Sequence, residues 1–385
     1  MKAFLLFRDR DFDPEQRLPP NADDLVQDLE LATLLDTMAD GDHFVREVAG
    51  QTLLASLTGV DDIRYRQAVL SDCLRQPAVV RELYGTAVEA IEREWKAYRY
   101  FRSPDGILYS SAEVLELLMT SLASLRVISD TSAKLFESGG FSTFSEMIAT
   151  DLDDEYFRTV EDHLQRLRFR QGVLVSAGLG VGNAGVDYVL RRPHDNRQTL
   201  LQRVFRAETD SYSLQIDDHD ESGTQALSEL RERGINLVAN AIAQSTDHII
   251  GFFRPLRAEL AFYVGCLNLH ERLSAKAEPL CFPVPAEPRS SQLSATDLYD
   301  PSLSLTLRER AIGNDLAADG KSLVVITGAN QGRQVHASPR GRRGPTDDAG
   351  RNVHPCLLPP RQRLRRPLHA LPPRRGRDDE QRQAR

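Results

Sequence analysis

A helical pattern of apolar residues that runs from about Gly223 to Ala277 constrains this chain more than any other feature. As one α-helix it would be a rod roughly 80 Å long, at 1.5 Å of rise per residue. Gly234, Gly251 and Pro255 lie inside it. Proline lacks an N–H and its ring collides with the carbonyl four residues back, so the sequence predicts a kink or break near Pro255. The acidic run Asp217 to Ser222 (DDHDES) precedes the rod. Its spacing fits no EF-hand loop, which needs a central glycine and a glutamate at the twelfth position. It reads as an exposed turn capping the helix. Downstream, a Pro/Ser-rich segment from Pro283 to Ser294 separates the rod from the C-terminal segments.

An amphipathic helix must bury its apolar stripe against partners, and the upstream sequence supplies them. From Ala22 to about Phe136 the pattern is helical almost throughout: ADDLVQDLELATLLDTMA, DIRYRQAVLSDCLRQ, PAVVRELYGTAVEAIEREWKAYRYF and SSAEVLELLMTSLASLRVISDTSAKLF. Asn21 stands where an N-cap belongs, with acids in the first turn behind it. Pro77 suits a first helical turn. DDEYFRTVEDHLQRLRF adds another helix. Asp151, Asp153, Asp154 and Glu155 there read as favourable charge at a helix N-terminus, in preference to a cation site. Antiparallel packing of these segments predicts a helical bundle. Residues 1–20 read as a short strand or extended arm ending at Pro19-Pro20.

Between bundle and rod the period changes. QGVLVSAGLGVGNAGVDYVLRRP reads as two strands around a glycine turn, and DSYSLQI (210–216) reads as a third strand. Gly180 to Gly185 matches the dinucleotide fingerprint GxGxxG. That motif must open a helix whose N-terminus faces a pyrophosphate, whereas VDYVLRRP alternates like a strand, so a hairpin turn is expected. Arg166, Arg168, Arg170, Arg191, Arg192 and Arg197 gather around this hairpin. On an acidic protein they read as a solvated face; on a DNA clamp they would contact phosphates and fix register. His163, His248 and His270 have no partner at ligand spacing.

The 385 residues suffice for two domains, and 41% hydrophobic residues suffice for a sizeable core. No apolar run approaches the ~20 residues that span a bilayer, and MKAFLLFRDRDFD lacks the form of a signal peptide. Cys73, Cys266, Cys281 and Cys356 include no CxxC pair, so neither a zinc site nor a disulfide framework is indicated. A reducing, cytoplasmic setting is expected. The net charge of −8 conceals a split: residues 333–385 carry fourteen Arg, no Lys and five acids, net +9, leaving −17 on the first 332. So acidic a body argues against broad affinity for phosphate backbones, and any nucleic-acid contact must be local. The tail's eight prolines, few aliphatics and absence of period predict disorder.

The last ordered piece carries the motif with most chemical content. Leu323 to Ile326 is an apolar run that delivers the chain to Thr327-Gly328-Ala329-Asn330-Gln331-Gly332. A phosphate loop uses glycines so that backbone N–H groups surround the phosphates, a lysine to neutralise them, and Ser/Thr to hold magnesium. Here the lysine position is Gln334 and the Ser/Thr position Val335. Even so, GNDLAADGKSLVVITGANQG resembles the start of the ATPase domain in MutS-related DNA mismatch repair proteins. In that family an Asn-Asp pair precedes a strand ending Ile-Thr-Gly-x-Asn-x-Gly-Gly-Lys-Ser-Thr. Asn314-Asp315 and Ile326 to Gly332 match, and the match fails from Arg333 onward. The upstream helices and hairpin, over about residues 60–290, are similar to the family's lever and clamp.

The genetic code accounts for the failure. Arg333 to His336 can be written CGG-CAA-GTC-CAC-G, which read one base later gives Gly-Lys-Ser-Thr. In the same frame Pro345 to Ala349 can become Gln-Leu-Met-Met-Gln, a run common in the family's next helix. Residues 333–385 therefore read as a frameshift product.

The resemblance implies a mainly α fold. An arm (1–20), a helical bundle (21–169), a hairpin region (170–220) and a long lever-like helix (221–282) lead to the N-terminal fragment of a P-loop ATPase domain (295–332) and the tail (333–385). It implies ATP and magnesium as cofactors of the intact family, with Gly328, Ala329, Asn330, Gln331 and Gly332 at the phosphates and Asn314 near the base. It implies DNA as partner, with Arg166, Arg168, Arg170, Arg191 and Arg192 as candidate contacts, a homodimer, and no membrane. Lacking the lysine and Ser/Thr, this chain is expected not to hydrolyse ATP. The N-terminal domain that bears the Phe-x-Glu wedge of the family's mismatch-sensing members is not expected in this chain, and with it mismatch specificity is not expected. The rival reading is a helical scaffold that binds a protein partner and uses its Arg-rich tail on nucleic acid.

Overall fold

The computed structural model describes residues 1–321 and 323, apart from 56, 98–100, 102, 170–171, 192–214, 218, 288–289, 291 and 322. The glycine loop 328–332, Arg170, Arg192, Arg197 and the tail lie outside the described residues, as does most of the expected third strand. Residues 215–217 are in no strand.

The fold is mainly α. Helices α1 (Ala22–Asp28), α2 (Leu31–Ala39), α3 (His43–Leu54), α4 (Val60–Arg75), α5 (Pro77–Ala97), α6 (Pro104–Ser132), α7 (Gly139–Asp151) and α8 (Asp154–Leu167) lead to strands β1 (Leu174–Leu179) and β2 (Gly185–Arg191). The long helix α9 (Glu221–Ser274), β3 (Ser294–Leu298), α10 (Pro301–Thr306) and β4 (Asn314–Ala317) come next. Most helix starts are fixed by a side-chain oxygen that accepts an N–H of the first turn, which intrahelical bonding leaves unsatisfied. Asp42 does so for Phe44, Ser103 for Gly106, Ser138 for Phe141, Asp153 for Tyr156 and Asp220 for Gly223. Asp153 and Asp220 thus cap helices, with Asp154 and Glu155 in the first turn of α8 as expected. Asp151 instead is the last residue of α7, where its charge faces the negative end of that helix and pairs with the N-terminal amine. Asn21 does not: it precedes α1 but makes no side-chain cap bond. Its backbone (φ −103°, ψ 28°) is outside the extended conformation that aims a capping side chain at the first turn.

The long helix is the centre of the bundle. It runs unbroken for 54 residues through Pro255, so the expected break is absent. Ala258 to Leu269 are buried without exception, the condition of a helix surrounded on all sides. Helices α2, α3, α5 and α6 pack against it, and Arg81 of α5 donates to Asn268 Oδ1 at 2.9 Å. Residues 1–12 form no strand. They lie as an irregular arm, bent at Leu5-Leu6 and Arg8 to Arg10, with Leu5, Leu6, Phe7 and Phe12 in the main core.

Asp72 of α4 shows how an irregular segment is held. Fully buried, it accepts the N–H groups of Glu137 at 3.0 Å and Ser138 at 2.7 Å and pairs with Arg75. Burial alone would raise its carboxyl. The bonds from Ser138, the Glu137 N–H and Arg75 outweigh burial and hold it below the ordinary carboxylate value. Asp72→Ala should therefore cost about 2–3 kcal/mol at neutral pH, because the buried Ser138 N–H and the half-buried Glu137 N–H lose their acceptor. A depressed carboxyl stabilises the fold above its unfolded-state value and ceases to as pH falls through the folded one. Denaturant melts should show wild type and variant converging only in strong acid. Equal stability at pH 7 would contradict the assignment.

Candidate functional site

Two structures sit at opposite ends of α9. At its N-terminal third, β1 and β2 form the antiparallel hairpin that alternation predicted, with Leu174 opposite Arg191 and Leu179 opposite Gly185. The fingerprint-like glycines make its turn. Gly182 has φ +70°, a left-handed backbone that glycine adopts without penalty. No helix opens after this turn, which leads directly into β2. The hairpin lies on α9 through a small second core in which Leu108, Ile235 and Ala239 are buried, with Val173 and Leu190 against them. Gly234 permits the approach: a Cβ there would fall 2.5 Å from Val175 Cγ2. Arg231 pairs with Asp105 at the start of α6 at 3.1 Å, and the Arg233 guanidinium lies over the Tyr188 ring at 5.7 Å.

The described arginines around this hairpin already have partners. Arg166 pairs with Asp162, Arg168 with Glu116 at 2.7 Å, and Arg191 donates to Ser176 Oγ across the hairpin at 2.9 Å. The chain thus brings them to one region, each engaged within the chain. Each is also exposed and uses only one of its five N–H donors in these contacts, which leaves donors facing solvent.

At the C-terminal end, residues 294–321 fold back on the end of α9 and on α2. Strands β3 and β4 pair antiparallel, with Leu298 opposite Asn314. Asn314 is exposed at the start of β4, while Asp315 accepts the Asp297 N–H at 2.9 Å. The tie to the rod is polar. Lys276 donates to the carbonyl oxygens of Ser304 and Leu307, the latter at 2.6 Å. Buried Glu278 accepts the Ser304 hydroxyl at 2.6 Å and the Ala311 N–H at 2.7 Å, and its other oxygen lies 3.6 Å from Arg310 Nε. Ser302 donates to the Glu30 carbonyl at 3.2 Å. Burial raises the pKa of the neighbouring Tyr299, and the Glu278 charge adds to the rise.

Sequence reasoning had not singled out Lys276 and Glu278. They look like ordinary charges after a helix end, and only the fold shows which backbone groups they serve. Among the described residues, no group of three or more His, Cys, Asp or Glu is placed to hold a metal ion. No helix among them is long and apolar enough to cross a membrane.

The class is a mainly helical protein, a bundle threaded by one long helix with a hairpin near one end and a strand pair beyond the other. Residues 58–276 match the family described as the MutS2 N-terminal domain, more than half of the chain, and the chain belongs to that family. The match spans α4 to α8, the hairpin and the rod, and ends at Lys276. No curated protein and no solved structure matches the chain.

Glu278→Ala should release residues 294–321 from the rod at a local cost of about 2–3 kcal/mol, since the bonds it makes are charge-assisted. Hydrogen exchange should accelerate in 294–321 and remain unchanged in α4 to α6. Unchanged exchange in both would show that Glu278 does not hold the junction.

Proposed function

We propose that the chain is the lever-and-clamp part of a MutS-type DNA repair protein. In this reading the hairpin end closes on branched DNA, the strand-pair end begins an ATPase domain, and α9 carries displacement between them. One observation supports it above the others: a single helix runs from the hairpin to the anchor of the C-terminal strand pair. The hairpin packs at Gly234 to Ala239, and Lys276 and Glu278, which tie the segment between β3 and β4, follow directly on the helix end at Ser274, about 50–60 Å farther along. Such a rod delivers motion only if it is stiff, and burial on every side from Ala258 to Leu269 stiffens it.

The family resemblance gives ATP and magnesium to the intact protein, with Gly328 to Gly332 at the phosphates and Asn314 near the base. The residues of this chain do not fit that pair of ligands. Gln334 brings no charge against the phosphates and Val335 no oxygen for magnesium. We infer that this chain does not hydrolyse ATP, and that a one-base slip at codon 333 replaced Gly-Lys-Ser-Thr with Arg-Gln-Val-His. Resequencing codons 332–336 tests the slip, and phosphate release above background from the purified chain would contradict the inference.

Contact with DNA would be local, because the body is acidic. Arg166, Arg168 and Arg191 would neutralise phosphates there and release their counterions, so binding should be strongly salt-sensitive. The triple change Arg166→Gln, Arg168→Gln, Arg191→Gln should weaken binding to branched duplexes. It should also flatten the log–log salt slope by about 2–3, since each phosphate that is no longer neutralised removes about 0.9. Deleting residues 333–385 should leave specific binding intact. Loss of binding on tail deletion, with the triple variant unaffected, would favour the scaffold whose Arg-rich tail holds nucleic acid.

A further inference from the structure

The stretch of α9 that is buried on all sides contains one charged residue, Glu259. Its carboxylate does not meet another side chain of the bundle in a salt bridge. Oε2 accepts the N–H groups of Leu5 at 2.6 Å and Leu6 at 3.2 Å, and Oε1 accepts that of Phe12 at 3.0 Å. One helical turn on, the Tyr263 hydroxyl donates to the Leu5 carbonyl at 2.6 Å. From α4, Tyr65 donates to the Phe4 carbonyl at 2.7 Å, and Arg66 Nε donates to that of Leu6 at 3.3 Å. The Arg66 guanidinium, itself buried, also lies over the rings of Phe7 and Phe262. Four side chains from two helices thus hold six backbone groups of one non-helical segment. Phe4 has φ +52°, a backbone region costly for a bulky residue, so the seat imposes strain as well as contacts.

We propose that residues 4–12 are a strap that locks α9 to α4 and opens without unfolding the bundle. While it is seated, α9 cannot slide along α4 at Glu259 and Tyr263 without breaking these bonds. Their partners are backbone atoms, so release leaves no helix without its own hydrogen bonds. The proposal concerns only how the rod is held, and it stands or falls apart from the reading of DNA binding.

The seat is also sensitive to protons. Burial raises the Glu259 carboxyl to about 7, against the three N–H groups that favour its charged form, and Asp11 of the arm adds to the rise. Arg66 and Tyr65 of α4, Tyr263 of α9 and Arg8 of the arm are the other ionisable groups around it. A carboxyl whose value is higher in the seated state than in the open one favours the seated state at low pH. That advantage is lost as pH rises through about 7. Opening should therefore be about tenfold more populated at pH 8 than at pH 6.

Hydrogen exchange on the whole chain at both pH values, corrected for intrinsic chemical rates, tests this. The amides of Leu5, Leu6 and Phe12 should exchange through an opening separate from that of core amides such as Val69 and Leu260, with the tenfold step. Glu259→Gln should remove the step and the protection of Phe12, since an amide nitrogen cannot accept. Tyr263→Phe should raise opening at both pH values and keep the step, which preserves the test if the glutamine variant does not fold. Strap amides that exchange only together with the core, or a step that persists in Glu259→Gln, would overturn the proposal.

Discussion

Twelve consecutive residues, Ala258 to Leu269, are buried around the whole circumference of one helix, and the architecture rests on that fact. A helix so enclosed needs neighbours on every side, and α2, α3, α5 and α6 supply them. The same enclosure explains why Pro255 does not break the rod. A proline inside a helix costs about 3 kcal/mol. Phe252, Phe253, Leu256 and Leu260 are buried beside it, each worth about 1.5–3 kcal/mol when kept from water. Breaking the rod would sacrifice more burial than the proline costs. The residue four positions before the proline, whose carbonyl its ring crowds, is Gly251, which is exposed.

Buried acids give the bundle its second organising rule. Asp72, Glu259 and Glu278 are all buried, and each accepts backbone N–H groups from a segment outside any helix or strand. These are the turn at 137–138, the arm at 5–12, and Ala311 beyond α10. Backbone N–H groups without a ladder must find other acceptors when they leave water. Carboxylates from neighbouring helices provide them here, and in doing so they join parts distant in sequence. Glu259 joins the first dozen residues to the rod, and Glu278 joins the rod to the strand pair.

What the sequence revealed came from periodicity and from local chemistry. The rod, the bundle and the hairpin were legible because each has its own spacing of apolar residues. Asp153 and Asp220 were legible as caps because an acid before an apolar helix has few other uses. Asn21 has the same signature but the wrong backbone, which sequence cannot display. The continuity at Pro255 was hidden because local propensity opposes it and only tertiary burial overrides it. Glu259 did leave a signal, a lone acid within AELAFYVGCL, but its partners lie some 250 residues away. The glycine loop was legible as a motif and as an interruption, and it lies outside the described residues.

One unbroken helix runs from beneath the hairpin to Ser274, beside the anchors of the strand pair, and its length can be measured directly. Spin labels at Leu237 and Ser274, both exposed, would do so, with Cys281 and Cys356 replaced. At 1.5 Å per residue an unbroken rod predicts a single narrow distance distribution at about 55 Å. A broad distribution, or one centred well below that value, would mean that the helix breaks at Pro255 and that no rod connects the two ends.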